Sequence, residues 1–169
     1  ALITPMKSGA VDYPALTRLI ERQIEGGVSA LVPCGTTGEA STLGHEEKRR
    51  VISHTVEVTK GRIPVIAGCG STSTAMLAIL AREAEIDGAD GVLCLTPFYN
   101  KANNEGVYLH FKTVCDHVSL PVIAYNVPSR TGLSIDMETY ARLCEIDNFA
   151  GVKEASGNLE QIEQIISNR

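Results

Sequence analysis

The sequence has no tryptophan, only 5% aromatic residues, and no C-x-x-C pair among its five cysteines. Cys34, Cys69, Cys94, Cys115 and Cys144 are odd in number and widely scattered, so they signal neither a disulfide framework nor a zinc site and read as small core thiols. The histidines, at 45, 54, 110 and 117, fall on helix-like segments without the H-E-x-x-H spacing of a zinc helix, and no metal is expected. Positive charge is also in deficit: 15 Lys and Arg against 20 Asp and Glu leave a net charge of −5. Nucleic acid and anionic membrane both call for a basic stripe that displaces counterions, so neither is an expected partner. The nearest approach, Lys48-Arg49-Arg50, sits beside Glu46 and Glu47 and reads as a solvated helix face. No apolar run approaches the ~20 residues of a membrane span, and no basic region followed by an apolar signal core opens the chain. The expected location is the cytoplasm.

What is present is a regular alternation. Short apolar runs at 1–4 (ALIT), 29–33 (SALVP), 64–68 (PVIAG), 91–95 (GVLCL), 121–125 (PVIAY) and 149–153 (FAGVK) are strand-like, and helix-length segments separate them. One helix is expected to open at Asp12 and Pro14, to run through Leu16, Ile20 and Ile24, and to stop at Gly26-Gly27; Gly61 and Gly88 end two more. The runs look apolar on both faces, as in a parallel sheet covered by helices. This is the α/β class, built from repeated βα units. With 44% hydrophobic residues and no linker, residues 1–169 read as one domain. Periodicity alone leaves an open doubly wound sheet and a (βα)8 barrel both open. A barrel takes ~250 residues, so on that reading about six units are here and roughly two, with part of the first strand, lie outside. Residues 165–169 read as following the sixth helix, and a chain ending there would leave parallel sheet edges prone to association.

In either architecture ligands bind at the carboxyl ends of the strands, and polar residues collect there. They are GTTGE (35–39), TPFYN (96–100), YNVPSRTG (125–132) and KEASGN (153–158). GTTGE offers backbone N–H groups and two hydroxyls to an anion, or is simply a tight strand-to-helix turn; it matches no nucleotide-binding pattern. Lys153 follows Phe149, Ala150, Gly151 and Val152, where an ammonium loses hydration. Desolvation lowers a lysine pKa and frees the amine to attack a carbonyl; the alternative is a packed stem with its head in water. Tyr99 and Tyr125 read either as ligand-facing phenols or as rim aromatics, and Arg130 either as an anion clamp or as half of a surface ion pair.

Together and in this order, the four motifs resemble the dihydrodipicolinate synthase and N-acetylneuraminate lyase family of class I aldolases, over essentially all 169 residues. The resemblance implies a (βα)8 TIM barrel with a Schiff-base lysine, Lys153, on its sixth strand. It implies Tyr125 as proton shuttle, linked through Thr36 to Tyr99 from a neighbouring subunit, with Phe98 in that interface. Thr37 and the turn amides at Gly35 would hold the pyruvate carboxylate. Arg130, which resembles the synthase branch, would hold the carboxylate of L-aspartate-β-semialdehyde. The implied reaction condenses the two substrates to 4-hydroxy-tetrahydrodipicolinate, in lysine and diaminopimelate biosynthesis, in a homodimer or homotetramer without a cofactor. The competing readings are another pyruvate aldolase of the family, acting on a keto-sugar acid or 4-hydroxy-2-oxoglutarate, and a noncatalytic remnant. Lysine feedback is expected to be weak or absent. By register Thr72 and Met76 fall where inhibited members carry a polar and an acidic residue early in the third helix, and His45 reads as a helix-start residue.

Overall fold

The computed structural model describes residues 1–167; Asn168 and Arg169 lie outside the described residues. Strands β1 (Met6–Lys7) and β2 (Ala10–Val11) lead into α1 (Tyr13–Glu25), a 3-10 turn (Thr36–Gly38), α2 (His45–Thr59), β3 (Ile66–Cys69), α3 (Thr74–Ile86) and β4 (Gly91–Leu95). Then come α4 (Asn104–His117), β5 (Val122–Asn126), α5 (Pro128–Thr131), α6 (Met137–Leu143), β6 (Phe149–Glu154) and α7 (Leu159–Ser167). The expected α/β alternation is present, and GVLCL is β4 to the residue. Ile165, Ile166 and Ser167, expected beyond the last helix, belong to it. The chain forms two compact units, Ala1–Cys69 with Arg82–Val92, and Gly70–Ala81 with Leu93 onward.

In the first unit, two expected strands shrink. The 1–4 segment forms no strand, although Leu2 is buried and its N–H donates to Val32 O at 2.9 Å. The 29–33 segment is reduced to a parallel bridge between Leu31 and Val65. Pro33 has no N–H to extend a ladder, and Cys34 turns the chain at φ 55. In their place stands the β1–β2 hairpin, whose two turn residues, Ser8 (φ 52) and Gly9 (φ 81), take the positive φ that a tight hairpin requires. Helix α1 follows its sequence signals: Asp12 Oδ1 accepts from Ala15 N at 2.9 Å, and Leu16 and Ile20 are buried. In α2, Glu47 reaches back to Gly44 N (2.8 Å), closing the N-terminus. The basic run there is not a plain solvated face, since Arg49 grips Asp87 with two hydrogen bonds, at 2.7 and 3.0 Å. Gly68 is fixed by space: a Cβ would lie 2.3 Å from Cys34 O.

In the second unit β4 lies beside β5, and β5 beside β6. Strand β4 is buried almost throughout, as a two-sided apolar strand should be, but β5 alternates and β6 is only partly covered. Among the described residues β6 has a neighbouring strand on one edge, β5. Strands β5 and β6 pair in parallel with an irregularity: Val122 faces Phe149 and Ile123 faces Gly151, so Ala150 is an extra residue. Gly151 carries the distortion at φ 151, a region natural to glycine. Helix α4, capped by Asn103 (Gly106 N to Oδ1, 2.8 Å), buries Val107, His110, Phe111 and Val114. Cys34, Cys69, Cys94 and Cys115 are buried as expected, and burial pushes the Cys34 and Cys69 thiols up to about 12. Cys144, just past α6, is exposed and corrects the core reading of that thiol.

Candidate active site

The bulge in β6 decides what faces what. Past it, Tyr125 pairs with Lys153 and Asn126 with Glu154. Paired residues of adjacent parallel strands share a face and successive residues alternate, so Tyr125 and Lys153 stand on one side of the sheet. Lys153 Nζ lies 4.2 Å from the centre of the Tyr125 ring, within cation–π range. The phenol and the amine that the sequence singles out are thus brought together. Among the described residues Lys153 is exposed and β6 is partly covered. Its contact with the half-buried Tyr125 is the specific feature of its surroundings.

Around this pair, Tyr125 O accepts from Thr96 N at 3.3 Å, which ties the end of β4 to the end of β5. The Thr96 hydroxyl is fully buried and has no hydrogen-bond partner among the described residues. Tyr99, three residues on, is 88% exposed and held at φ 70. Arg130 stands on α5, exposed, and makes no ion pair among the described residues. The surface-pair alternative for Arg130 therefore has no partner there.

In the first unit, GTTGE forms the 3-10 turn. Gly35 is extended (φ −76, ψ −176), Gly38 N and Glu39 N bond back to Gly35 O and Thr36 O at 3.0 Å, and Glu39 closes the turn at φ 55. Thr36 and Thr37 are exposed, and a turn of this kind leaves its leading amides without internal partners. Gly38 is buried, its carbonyl accepts from Thr4 Oγ1 at 2.7 Å, and a Cβ there would come within 3.0 Å of Leu2 O.

On the opposite face of β5 and β6 lies a polar cluster that the sequence reading did not single out. Glu154 Oε2 accepts from Asn126 Nδ2 (2.8 Å) and from the Tyr140 hydroxyl (2.9 Å), and Oε1 accepts from Ser156 N (2.7 Å). Burial works against the Glu154 charge, but hydrogen bonds from Asn126, Ser156 and Tyr140 outweigh it and hold the carboxyl below its ordinary range. Burial, followed by the bond to Glu154, pushes the Tyr140 phenol up. The signal available in the sequence was adjacency: Asn126 follows Tyr125 as Glu154 follows Lys153, one residue on and so on the other face.

Of the three residues compared with the effector site of inhibited members, Thr72 sits differently. Thr72 precedes α3 rather than lying in it, because Ser73 caps the helix with its Oγ toward Met76 N at 3.3 Å. Met76 is 43% exposed, and His45, the first residue of α2 as expected, has its Nε2 at 3.1 and 3.2 Å from the two carboxylate oxygens of Glu83.

Comparison with known proteins places this geometry. The chain is 52% identical over 166 residues to the 4-hydroxy-tetrahydrodipicolinate synthase of Syntrophus aciditrophicus, covering 98% of this chain and 57% of that protein. It superposes with a TM-score of 0.98 and 42% identity on the 4-hydroxy-tetrahydrodipicolinate synthase of Methylacidiphilum fumariolicum, covering 100% of this chain and 57% of that one. The dihydrodipicolinate synthase of Acinetobacter baumannii, solved in complex with pyruvate, gives a TM-score of 0.96 at 45% identity, over 99% and 58% of the two chains. The fold is therefore that of a (βα)8 TIM barrel, of which this chain carries about the first six βα units, and it spans a little over half the length of these relatives. The model of the dihydrodipicolinate synthetase family matches from residue 1 to residue 169, and the chain belongs to that family.

Proposed function

We propose that the protein containing this chain is a pyruvate-dependent, Schiff-base-forming lyase that condenses pyruvate with L-aspartate-β-semialdehyde to 4-hydroxy-tetrahydrodipicolinate, with residues 1–169 part of a single catalytic domain. The observation that carries the reading is the amine of Lys153 over the ring of Tyr125 at the carboxyl ends of adjacent strands. Lys153 Nζ adds to the keto carbon of pyruvate, and the carbonyl oxygen leaves as water, giving an imine. Loss of a methyl proton gives an enamine, whose carbon attacks the aldehyde while the aldehyde oxygen takes up a proton. Attack of the substrate's own amino group on the imine carbon then closes the ring and releases Lys153. The iminium nitrogen is the electron sink, so the chemistry calls on no metal or organic cofactor.

Tyr125, with Thr36 and Tyr99, moves the protons; Thr37 and the Gly35 turn hold the pyruvate carboxylate, and Arg130 holds the carboxylate of the aldehyde. The exposure of Arg130 without an ion partner among the described residues supports that last role. The setting is lysine and diaminopimelate biosynthesis in the cytoplasm, in a homodimer or homotetramer. The test is the initial rate of the full-length protein with pyruvate and L-aspartate-β-semialdehyde, beside the rates of keto-sugar-acid and 4-hydroxy-2-oxoglutarate cleavage. Condensation should be the fastest of these reactions by at least about 100-fold. Faster cleavage would make the protein a different pyruvate aldolase, and no turnover of any substrate would leave it noncatalytic.

A further inference from the structure

Imine chemistry demands that the amine of Lys153 reach one carbon along one trajectory, so the end of β6 must be held in place. What holds the strand end lies behind it. Asn126 is 0% exposed and its amide is fully committed: Oδ1 accepts from Ile135 N (3.2 Å), while Nδ2 donates to Ser134 Oγ (3.2 Å) and to Glu154 Oε2 (2.8 Å). The Ile135 N–H fixes which way the amide points. Glu154 receives three donors, one of them the backbone N–H that begins the turn after β6. Tyr140 is 4% exposed and brings its hydroxyl from α6. Three pieces of chain meet at one carboxylate, β5 through Asn126, α6 through Tyr140, and the end of β6 with the turn after it, while the 133–135 segment that follows Arg130 is tied to Asn126.

We propose that Asn126, Glu154 and Tyr140 are positioning residues for Lys153, acting through the backbone of β6 from the face away from the amine; this rests on the Schiff-base reading above. Only a carboxylate suits the centre of the network, because both of its oxygens face donors. Glutamine at 154 would turn an NH2 toward either Ser156 N or the Asn126–Tyr140 pair, leaving donor against donor, and the strand end would shift. A displacement on the order of 1 Å costs about 100-fold in rate.

The experiment measures the rate of borohydride-trapped pyruvyl adduct, by intact mass and peptide mapping, as a function of pyruvate concentration in the full-length protein and its Glu154→Gln variant. Circular dichroism normalises each to folded protein. The adduct on Lys153 should reach the same final stoichiometry in both, with the saturating rate down about 10- to 100-fold and the half-saturating pyruvate concentration within about threefold. A purely structural role would lower the melting temperature and leave the saturating rate per folded molecule intact, which would overturn the proposal while leaving the Schiff base standing. Absence of adduct in the parent protein would remove the Schiff base and this proposal together. If Glu154→Gln does not fold, Tyr140→Phe takes its place; it keeps the ring and deletes one donor, and should slow trapping about 3- to 10-fold. A parental rate in Tyr140→Phe would then overturn the proposal.

Discussion

Arg130 and His110 carry opposite kinds of information at the scale of single residues. Arg130 is exposed and makes no ion pair among the described residues, so its truncation should leave the fold alone and act on one substrate. Arg130→Ala in the full-length enzyme should reduce kcat/KM for the aldehyde about 10- to 100-fold, as loss of a charge-assisted pair to a carboxylate does, while pyruvate trapping keeps its rate; equal losses in both assays would reject the assignment. His110 is buried and committed. Its Nε2 lies 3.2 Å from Leu95 O, an acceptor only, so Nε2 carries the proton and Nδ1 accepts from Thr74 Oγ1 at 2.9 Å. Burial lowers its pKa from 6.5, against a smaller opposing effect of the Leu95 bond. The unfolded chain then binds more protons than the folded one just below pH 6.5, so this contribution is full above that value and is lost as the pH falls. Denaturant unfolding from about pH 7.5 to about pH 5.5 should show a steeper loss of stability in the parent protein than in His110→Gln; parallel losses would contradict the account. The juxtaposition of Lys153 and Tyr125 was legible in the sequence because both stand at strand ends. The Asn126–Glu154–Tyr140 cluster was illegible, because Tyr140 joins from 14 residues away through a fold the local pattern does not encode.

Among the elements, the strands that were read well are those whose backbone completes a ladder. GVLCL, PVIAY and FAGVK became β4, β5 and β6 with boundaries within a residue, whereas ALIT and SALVP had the right composition and little or no ladder. Apolarity reports burial, and Leu2 and Leu31 are buried; a strand also needs consecutive N–H groups in register, which Pro33 and the turn at Cys34 interrupt. The bulge at Ala150 was equally invisible, yet it sets the site. Were Ala150 paired with Ile123 instead of bulged, the Val122–Phe149 register would carry forward to set Tyr125 against Val152 and put Lys153 on the other face. Inserting one alanine between Gly151 and Val152 in the full-length protein makes that same shift and should abolish pyruvate trapping, whereas deleting Ala150 keeps Tyr125 opposite Lys153. Gly151→Ala, for which a Cβ meets nothing within 4 Å but must adopt φ 151, should cost about 1–3 kcal/mol in denaturant unfolding with trapping retained. Trapping by the insertion variant at the parental rate would show that the register is not what pairs Lys153 with Tyr125.

For the whole molecule, the resemblance carried more than periodicity could: alternation gave the α/β class, and the order of four strand-end motifs gave the family. The proposed assembly is testable through Tyr99, whose 88% exposure suits a side chain offered to a neighbouring subunit. Mixing Tyr99→Phe and Lys153→Ala subunits of the full-length protein should restore condensation above either alone; no complementation would confine Tyr99 to its own subunit. The catalytic expectations hang on one covalent event. The direct measurement is the intact mass and peptide map of the full-length protein after pyruvate and borohydride, for the parent and for Lys153→Ala. The parent should gain one pyruvyl group per chain, mapped to Lys153, and the variant none; adduct on the variant, or none on the parent, would contradict the central claim.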